Sequence, residues 1–368
     1  MQVKVWSYLK EYHNEKDEVQ EAIEQVLNSE VLILGENVKE FEKEFSIYCQ
    51  SKFGIGVNSA TDAIFFALKA LGVKRGDEII TESNTAVPTV SAIVATGAIP
   101  KFVDIDPNSY LMRVEQVFDI ITPKTKGIIA VHLFGQCVEM DLLTEIARKN
   151  NLFIIEDCAQ SHGAQYKGRM AGSMSQVSTF SFYPTKILGG YGDGGMMVTS
   201  DNELANKMKR LRFYGMEKTY YAIEHGYNSR LDELHAAILR KKLLHIDEYI
   251  NDRRRIAKRY DEELKNTSLQ MPIELPENKH AYYIYVVRHP DRNKIMEKLK
   301  EKNILLNISY PWPIHTMTGY ESLGYKVGDL PETEMAANEI FSLPMYPSLA
   351  FEEQSYVIDT LNDILQSY

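Results

Sequence analysis

Apolar positions recur along the chain with the spacing of helices in some stretches and of short buried strands in others. Val19, Ile23, Val26 and Leu27 share one helical face, with Asn14 as the expected N-cap. Val38, Phe41 and Phe45 make a second stripe, and Ala63, Phe66, Ala67 and Ala70 a third that opens at Ser59, Ala60, Thr61 and Asp62. Beyond it, short apolar runs at 78–81, 101–104, 127–131 and 152–155 predict strands, and those at 177–182 and 196–199 add two more around a Gly-rich turn. Helical stretches at 88–96, 112–120 and 141–150 lie between them. Strands that alternate with helices imply an α/β chain whose central sheet is mostly parallel and covered on both faces.

After about Arg230 the pattern changes. Residues 231–259 read as one long helix or two joined ones, followed by a strand-like run at 281–287 and helices near 290–302 and 351–366. The expected division is a large α/β domain over 1–245 and a smaller C-terminal α+β domain over 246–368. Ligands of open α/β sheets bind outside the carboxyl ends of the strands, so the loops there are where chemistry belongs.

Composition narrows the classes. The hydrophobic fraction of 44% and charged fraction of 25% are those of a globular chain. Lys plus Arg is 41 against 51 Asp plus Glu, a net charge of −10, which argues against nucleic acid as a partner. Cys49, Cys137 and Cys158 are too few and too scattered for a disulfide framework and suit a reducing cytosol. Residues 1–17 mix charges and do not read as a signal peptide, and the most apolar stretch, 89–99, is too short for a bilayer. A soluble cytoplasmic protein with no membrane partner is expected.

Four loops are chemically rich. Asn58, Ser59, Ala60, Thr61 and Asp62 open a helix with small residues and a hydroxyl, which is either an ordinary N-cap or an anion cradle. The strand near 155 ends in Glu156 and Asp157, followed by Cys158, Ala159, Gln160, Ser161 and His162. A carboxylate buried there needs a partner, such as a protonated ring nitrogen, unless water solvates it. Lys186 leaves an apolar strand through Ser181, Phe182, Tyr183 and Pro184 and precedes a glycine-rich turn at 189–195. A desolvated lysine forms Schiff bases readily, although most lysines are surface charges. Asn228, Ser229, Arg230, Leu231 and Asp232 then start the long helix, or only cap it.

Together these loops supply an anion cradle, an acid for a ring nitrogen and an amine for an aldehyde, the protein groups that pyridoxal 5′-phosphate requires. In their order and spacing the motifs Glu156–Gln160, Phe180–Lys186, Gly192–Gly195 and Asn228–Asp232 resemble the DegT/DnrJ/EryC1/StrS sugar aminotransferases over about residues 30 to 350. The resemblance implies the fold-type-I fold of pyridoxal phosphate-dependent transferases. It makes Lys186 the Schiff-base lysine and proton carrier, and Asp157 the partner of the pyridine nitrogen. It sets Gln160 on the ring hydroxyl, and Ser181 with the amides of Ala60 and Thr61 on the phosphate. It gives Asn228 to the phosphate of a second subunit's cofactor, hence a homodimer with shared sites. Tyr183, His162, Ser309, Tyr310 and His315 are the expected substrate-side residues, with a packed loop histidine as the other reading of His315.

Two positions depart from the family pattern. Ala86 stands where an aromatic residue often covers the cofactor ring, and Ser309 stands where relatives carry a histidine at the head of a His-Tyr-Pro-x-Pro-x-His run. Lys186 itself separates the chain from a branch that has histidine there and removes a hydroxyl group. The implied reaction takes the amine of glutamate onto the cofactor, as pyridoxamine 5′-phosphate, and then onto a ketone of a nucleotide-linked sugar. Ile33, Leu34, Gly35, Glu36, Val38, Phe41 and Glu42, with Gln160, resemble relatives that act at C-3 of a dTDP-3-keto-6-deoxyhexose. The alternatives are amination at C-4, amination of another cyclic ketone, and a non-catalytic cofactor-binding regulator.

Overall fold

The computed structural model describes residues 1–366. Seven strands build the central sheet: β1 (Phe53–Val57), β2 (Glu78–Glu82), β3 (Ile99–Val103), β4 (Thr125–Val131), β5 (Phe153–Asp157), β6 (Val177–Ser181) and β7 (Gly195–Thr199). Their order across the sheet is β1-β7-β6-β5-β4-β2-β3. Every neighbouring pair is parallel except those of β7, which runs antiparallel to β1 and β6. β6 and β7 are buried throughout, as a sheet covered on both faces requires.

Helices pack on this sheet or on one another because their apolar stripes need burial. They are α1 (Leu9–Asn28), α2 (Glu36–Tyr48), α3 (Ala60–Ala70), α4 (Val87–Ala95), α5 (Met140–Lys149), α6 (Asn202–Leu211) and α7 (Glu233–Leu243). Val38, Phe41 and Phe45 of α2 and Ala63, Phe66 and Ala67 of α3 lie in the main core. The long helical stretch is two helices, α7 and α8 (Ile246–Leu264). Ile246 and Ile250 of α8 join the main core, whereas Ile256, Ala257, Tyr260 and Leu264 join a second core. That second core also holds residues of α9 (Arg292–Glu301), α10 (Phe351–Leu365) and the antiparallel pair β8 (Tyr285–Arg288) and β9 (Ile340–Leu343). The N-terminus reaches it too, through Val3–Lys4 pairing in parallel with Ile304–Leu305.

Two local expectations are corrected. Asn14 is not an N-cap but lies inside α1, which starts at Leu9. The stretch 112–120 forms only a 3-10 helix, Val114–Ile120. Strand β1 was not among the expected strands; it carries two glycines, Gly54 and Gly56, a residue type that weakens strands. Gly54 instead allows a close approach, since a Cβ there would collide with the Glu42 carbonyl of α2. Among the described residues no helix is long and apolar enough to cross a membrane.

Candidate active site

The carboxyl ends of β5 and β6 and the N-terminal turns of α3 and α4 surround a cavity of about 320 Å³. It brings together Ala60, Thr61, Ala86, Asp157, Gln160, Ser181, Tyr183 and Lys186, eight of the residues expected from sequence. Thr85, Thr89, Ala159, Asp193 and Gly194 complete much of its wall.

The floor is set by two adjacent acids with opposite roles. Alternation along β5 points Glu156 and Asp157 to opposite faces of the sheet. Glu156 is fully buried and takes four donors: His132 Nε2 at 3.1 Å, Gly172 N at 2.8 Å, Met174 N at 2.8 Å and the Ser178 hydroxyl at 3.1 Å. Burial pushes its carboxyl up, but the hydrogen bond from His132 and those from the backbone amides outweigh burial and hold it below the ordinary value. His132, Glu156 and Cys158 cluster closely enough to suggest a metal. However, His132 Nδ1 accepts from Val138 N at 3.1 Å and Nε2 gives its proton to Glu156, so neither ring nitrogen is free.

Asp157 faces the cavity with less support. Its Oδ2 accepts from the Thr89 hydroxyl at 2.8 Å and its Oδ1 from Ala159 N at 3.1 Å. Burial wins here and raises its carboxyl, while Thr89, Ala159, Lys186 and His132 only moderate the rise. No cation bonds to it among the described residues. A protonated ring nitrogen is the partner such an acid lacks.

The opposite end is an anion cradle. Ser59 caps α3 by accepting from Asp62 N at 3.2 Å, which leaves the amides of Ala60 and Thr61 unbonded among the described residues. Gly195 lets β7 press against this turn, because a Cβ there would strike the Ser59 carbonyl. The Ser181 hydroxyl lines the same space. The loop 228–230 is tied alongside: the Ser229 hydroxyl donates to Asp62 Oδ2 at 2.6 Å, and Arg230 N donates to Asn58 Oδ1 at 3.0 Å. Asn228 itself is exposed, lies outside the cavity and has no side-chain partner among the described residues.

Lys186 enters between these ends. Its ammonium lies 4.5 Å from the ring centroid of Tyr283 and makes no ion pair among the described residues. Gln160 accepts from Phe134 N at 2.9 Å and donates to the Tyr310 hydroxyl, which leaves its second N–H free. The residues present therefore fit pyridoxal phosphate: a free amine, an unpaired buried carboxylate, an amide donor and a helix N-terminus with a hydroxyl.

The substrate-side expectations divide. Tyr183 lines the cavity and is 51% exposed, and Tyr310 reaches it through Gln160. Ser309 lies back from it, 3.3 Å from the Ser342 hydroxyl. His162 is corrected: it is fully buried among Phe45, Phe180 and Phe182, and burial pulls its imidazole down to about 3. Of the two readings of His315 the geometry matches the packed loop histidine, since it is 1% exposed and both nitrogens are engaged, by the Ser83 hydroxyl at 2.9 Å and Glu334 at 3.0 Å. Thr89 and Tyr283 went unnoticed in the sequence because one is a helix threonine and the other lies in a strand-like run; only tertiary packing brings them to Asp157 and Lys186.

Known proteins resemble the whole chain. A dTDP-3-amino-3,4,6-trideoxy-alpha-D-glucose transaminase of Micromonospora megalomicea subsp. nigra is 49% identical, with 98% of each chain covered. A pleiotropic regulatory protein of Geobacillus stearothermophilus is 41% identical over 100% of both chains. The crystal structure of S. venezuelae DesV in complex with a ketimine intermediate matches with a TM-score of 0.98 at 37% identity, covering 99% of each chain. The model of the DegT/DnrJ/EryC1/StrS aminotransferase family matches residues 13–362. With its lysine, acid and anion cradle gathered in one cavity, the chain belongs to that family.

Proposed function

We propose that this aminotransferase moves the amine of glutamate to C-3 of a dTDP-linked 3-keto-6-deoxyhexose, giving a 3-amino-3,6-dideoxyhexose. The observation that carries the reading is the single cavity shared by Lys186, Asp157, Gln160, Ser181 and the N-terminus of α3. Its cofactor is pyridoxal 5′-phosphate, which supplies an electron sink when bound and alternates with its amine form. Lys186 Nζ would hold the cofactor through its aldehyde and, once released, would carry the proton between the substrate's amine-bearing carbon and the cofactor in each half of the reaction. Asp157 keeps a proton on the ring nitrogen, and the free N–H of Gln160 is available to the ring oxygen. The amides of Ala60 and Thr61, with the Ser181 hydroxyl, bind the phosphate. Ala86 and Ala159 are the small side chains that line the ring space, in place of an aromatic cover.

C-3 is favoured over C-4 by Gln160, by the run from Ile33 to Glu42 and by the similarity to a 3-amino sugar transaminase. The proposed assembly is a homodimer in which Asn228 serves the phosphate of the other subunit. Its exposure fits that role, and Val31, Leu32 and Ile33 leave a contiguous apolar run 46%, 50% and 48% exposed beside the 228–232 loop. Three buried free cysteines suit a cytoplasmic location. Tyr183 and Tyr310 are the proposed sugar contacts, with Ser309 behind them.

Similarity to a pleiotropic regulatory protein favours a second reading, a cofactor-binding regulator without turnover. One experiment separates the two. Glutamate added to the cofactor-loaded protein bleaches the visible Schiff-base band, and a dTDP-3-keto-6-deoxyhexose restores it if the first reading holds. A loaded protein whose band ignores glutamate is a regulator.

A further inference from the structure

A second cavity, of about 210 Å³, shares Lys186 with the first and extends toward the N-terminal segment at Trp6 and Tyr8. Its wall includes Arg253 of α8, a guanidinium only 2% exposed. One nitrogen of that group is committed: Nη1 donates to the carbonyls of Tyr282 at 3.4 Å, Tyr283 at 2.9 Å and Met345 at 3.0 Å. The other edge is not. Arg253 Nε is buried without a partner, Nη2 has none among the described residues, and no carboxylate lies within ion-pair distance. The Tyr191 hydroxyl, on the same wall, is a second buried donor without a partner.

The nearby acids do not meet this need. Glu11 lines the cavity, but Lys242 holds it at 2.6 Å and also stands 3.3 Å from Glu15. Glu11 and Glu15 exceed Lys242 by one charge, and Arg253 with Lys186 brings the surroundings to plus one. The Nε/Nη2 edge of a guanidinium is the edge that grips both oxygens of a carboxylate. A desolvated cation with that edge open is costly unless a ligand completes it.

We propose that this cavity is the amino-donor subsite, in which the Nε/Nη2 edge of Arg253 and the Tyr191 hydroxyl receive a carboxylate of an α-amino dicarboxylic acid and set its amine toward Lys186. The inference rests on the aminotransferase reading and adds the residues that would select its donor. Burial pushes the Tyr191 hydroxyl up to about 12, so it remains a donor at neutral pH. Glu11 opposes the anion and tunes the affinity downward.

The test uses the full cofactor-loaded protein and two readouts: calorimetric binding of glutarate, which cannot react, and KM for glutamate in the donor half-reaction. Arg253→Lys keeps a charge for the backbone carbonyls but loses the fork. It should weaken glutarate and raise KM for glutamate by at least about tenfold, the scale of a charge-assisted pair, while KM for the amino-sugar nucleotide holds. Tyr191→Phe should weaken glutarate a few-fold, and Glu11→Gln should tighten it. Unchanged glutarate affinity in Arg253→Lys, or an equal rise in KM for both substrates, overturns the proposal. If Arg253→Lys does not fold, unchanged affinity in both Tyr191→Phe and Glu11→Gln overturns it. Wild-type protein that binds glutarate but does not react with glutamate would instead refute the aminotransferase reading alone.

Discussion

Asp157→Asn should separate stability from chemistry. In the wild type, Oδ1 accepts from Ala159 N and Oδ2 from the Thr89 hydroxyl. Asparagine satisfies both: its oxygen keeps the Ala159 amide, and its NH₂ donates to Thr89. The Thr89 hydroxyl is then free to turn toward the Thr85 hydroxyl, 3.2 Å away. No buried group is left unpaired, so the fold survives. The acid's folded value lies above its ordinary 3.8, mainly through burial, so its charge destabilises the cofactor-free protein at neutral pH, and that penalty fades as pH falls through the folded value toward 3.8. The cofactor-free variant should therefore be at least as stable as wild type at pH 7. Catalysis is different, because in the proposed role the ring nitrogen loses the carboxylate that keeps it protonated. Breaking a buried ion pair costs about 3–5 kcal/mol, or about two to four orders of magnitude in rate. Urea unfolding of the cofactor-free protein and single-turnover absorbance with glutamate measure the two effects. A rate loss of only a few-fold would refute the assignment of Asp157.

The neighbouring Glu156→Gln should do the reverse and destabilise the fold by about 2–4 kcal/mol. Glutamine cannot accept from all four donors that Glu156 serves, and a buried amide is left unpaired. Glu156 sits below its ordinary 4.5, so its contribution is present above that pH and is lost as pH falls through its folded value; wild-type urea midpoints should drop in that window and the variant's should drop less. Lys186→Ala should lose the visible Schiff-base band and turn over negligibly, and near-normal turnover would exclude Lys186 as proton carrier. If sites are shared in a homodimer as proposed, mixing Lys186→Ala with Asn228→Ala should restore activity by subunit exchange, since one site of a hybrid dimer carries neither lesion; no recovery despite proven exchange would place Asn228 in its own subunit's site.

Much of the sheet and of the cavity around Lys186 was legible because local patterns and tertiary roles coincide there. The apolar runs that became β4, β5 and β6 end in the very residues that line the cavity, and Ser59 both caps α3 and frees the amides of Ala60 and Thr61. Legibility fails where a residue's role depends on what packs against it from afar. His162 sits five positions after Asp157 in a loop full of chemical side chains, yet Phe45 from α2 closes over it. Gly54 resembles a breaker until α2 is laid against β1. Arg253 is one of three consecutive arginines in a strongly polar helix, and only the carbonyls of Tyr282, Tyr283 and Met345 distinguish it from its neighbours.

The central claim is that nitrogen from an amino donor reaches C-3 of a keto-sugar nucleotide through the cavity around Lys186. The cofactor-loaded protein, incubated with ¹⁵N-glutamate and a dTDP-3-keto-6-deoxyhexose, gives a product whose nitrogen NMR can place directly. The account expects ¹⁵N bonded to C-3 and an equal amount of 2-oxoglutarate. Nitrogen at C-4, or 2-oxoglutarate released with no labelled sugar, would contradict it.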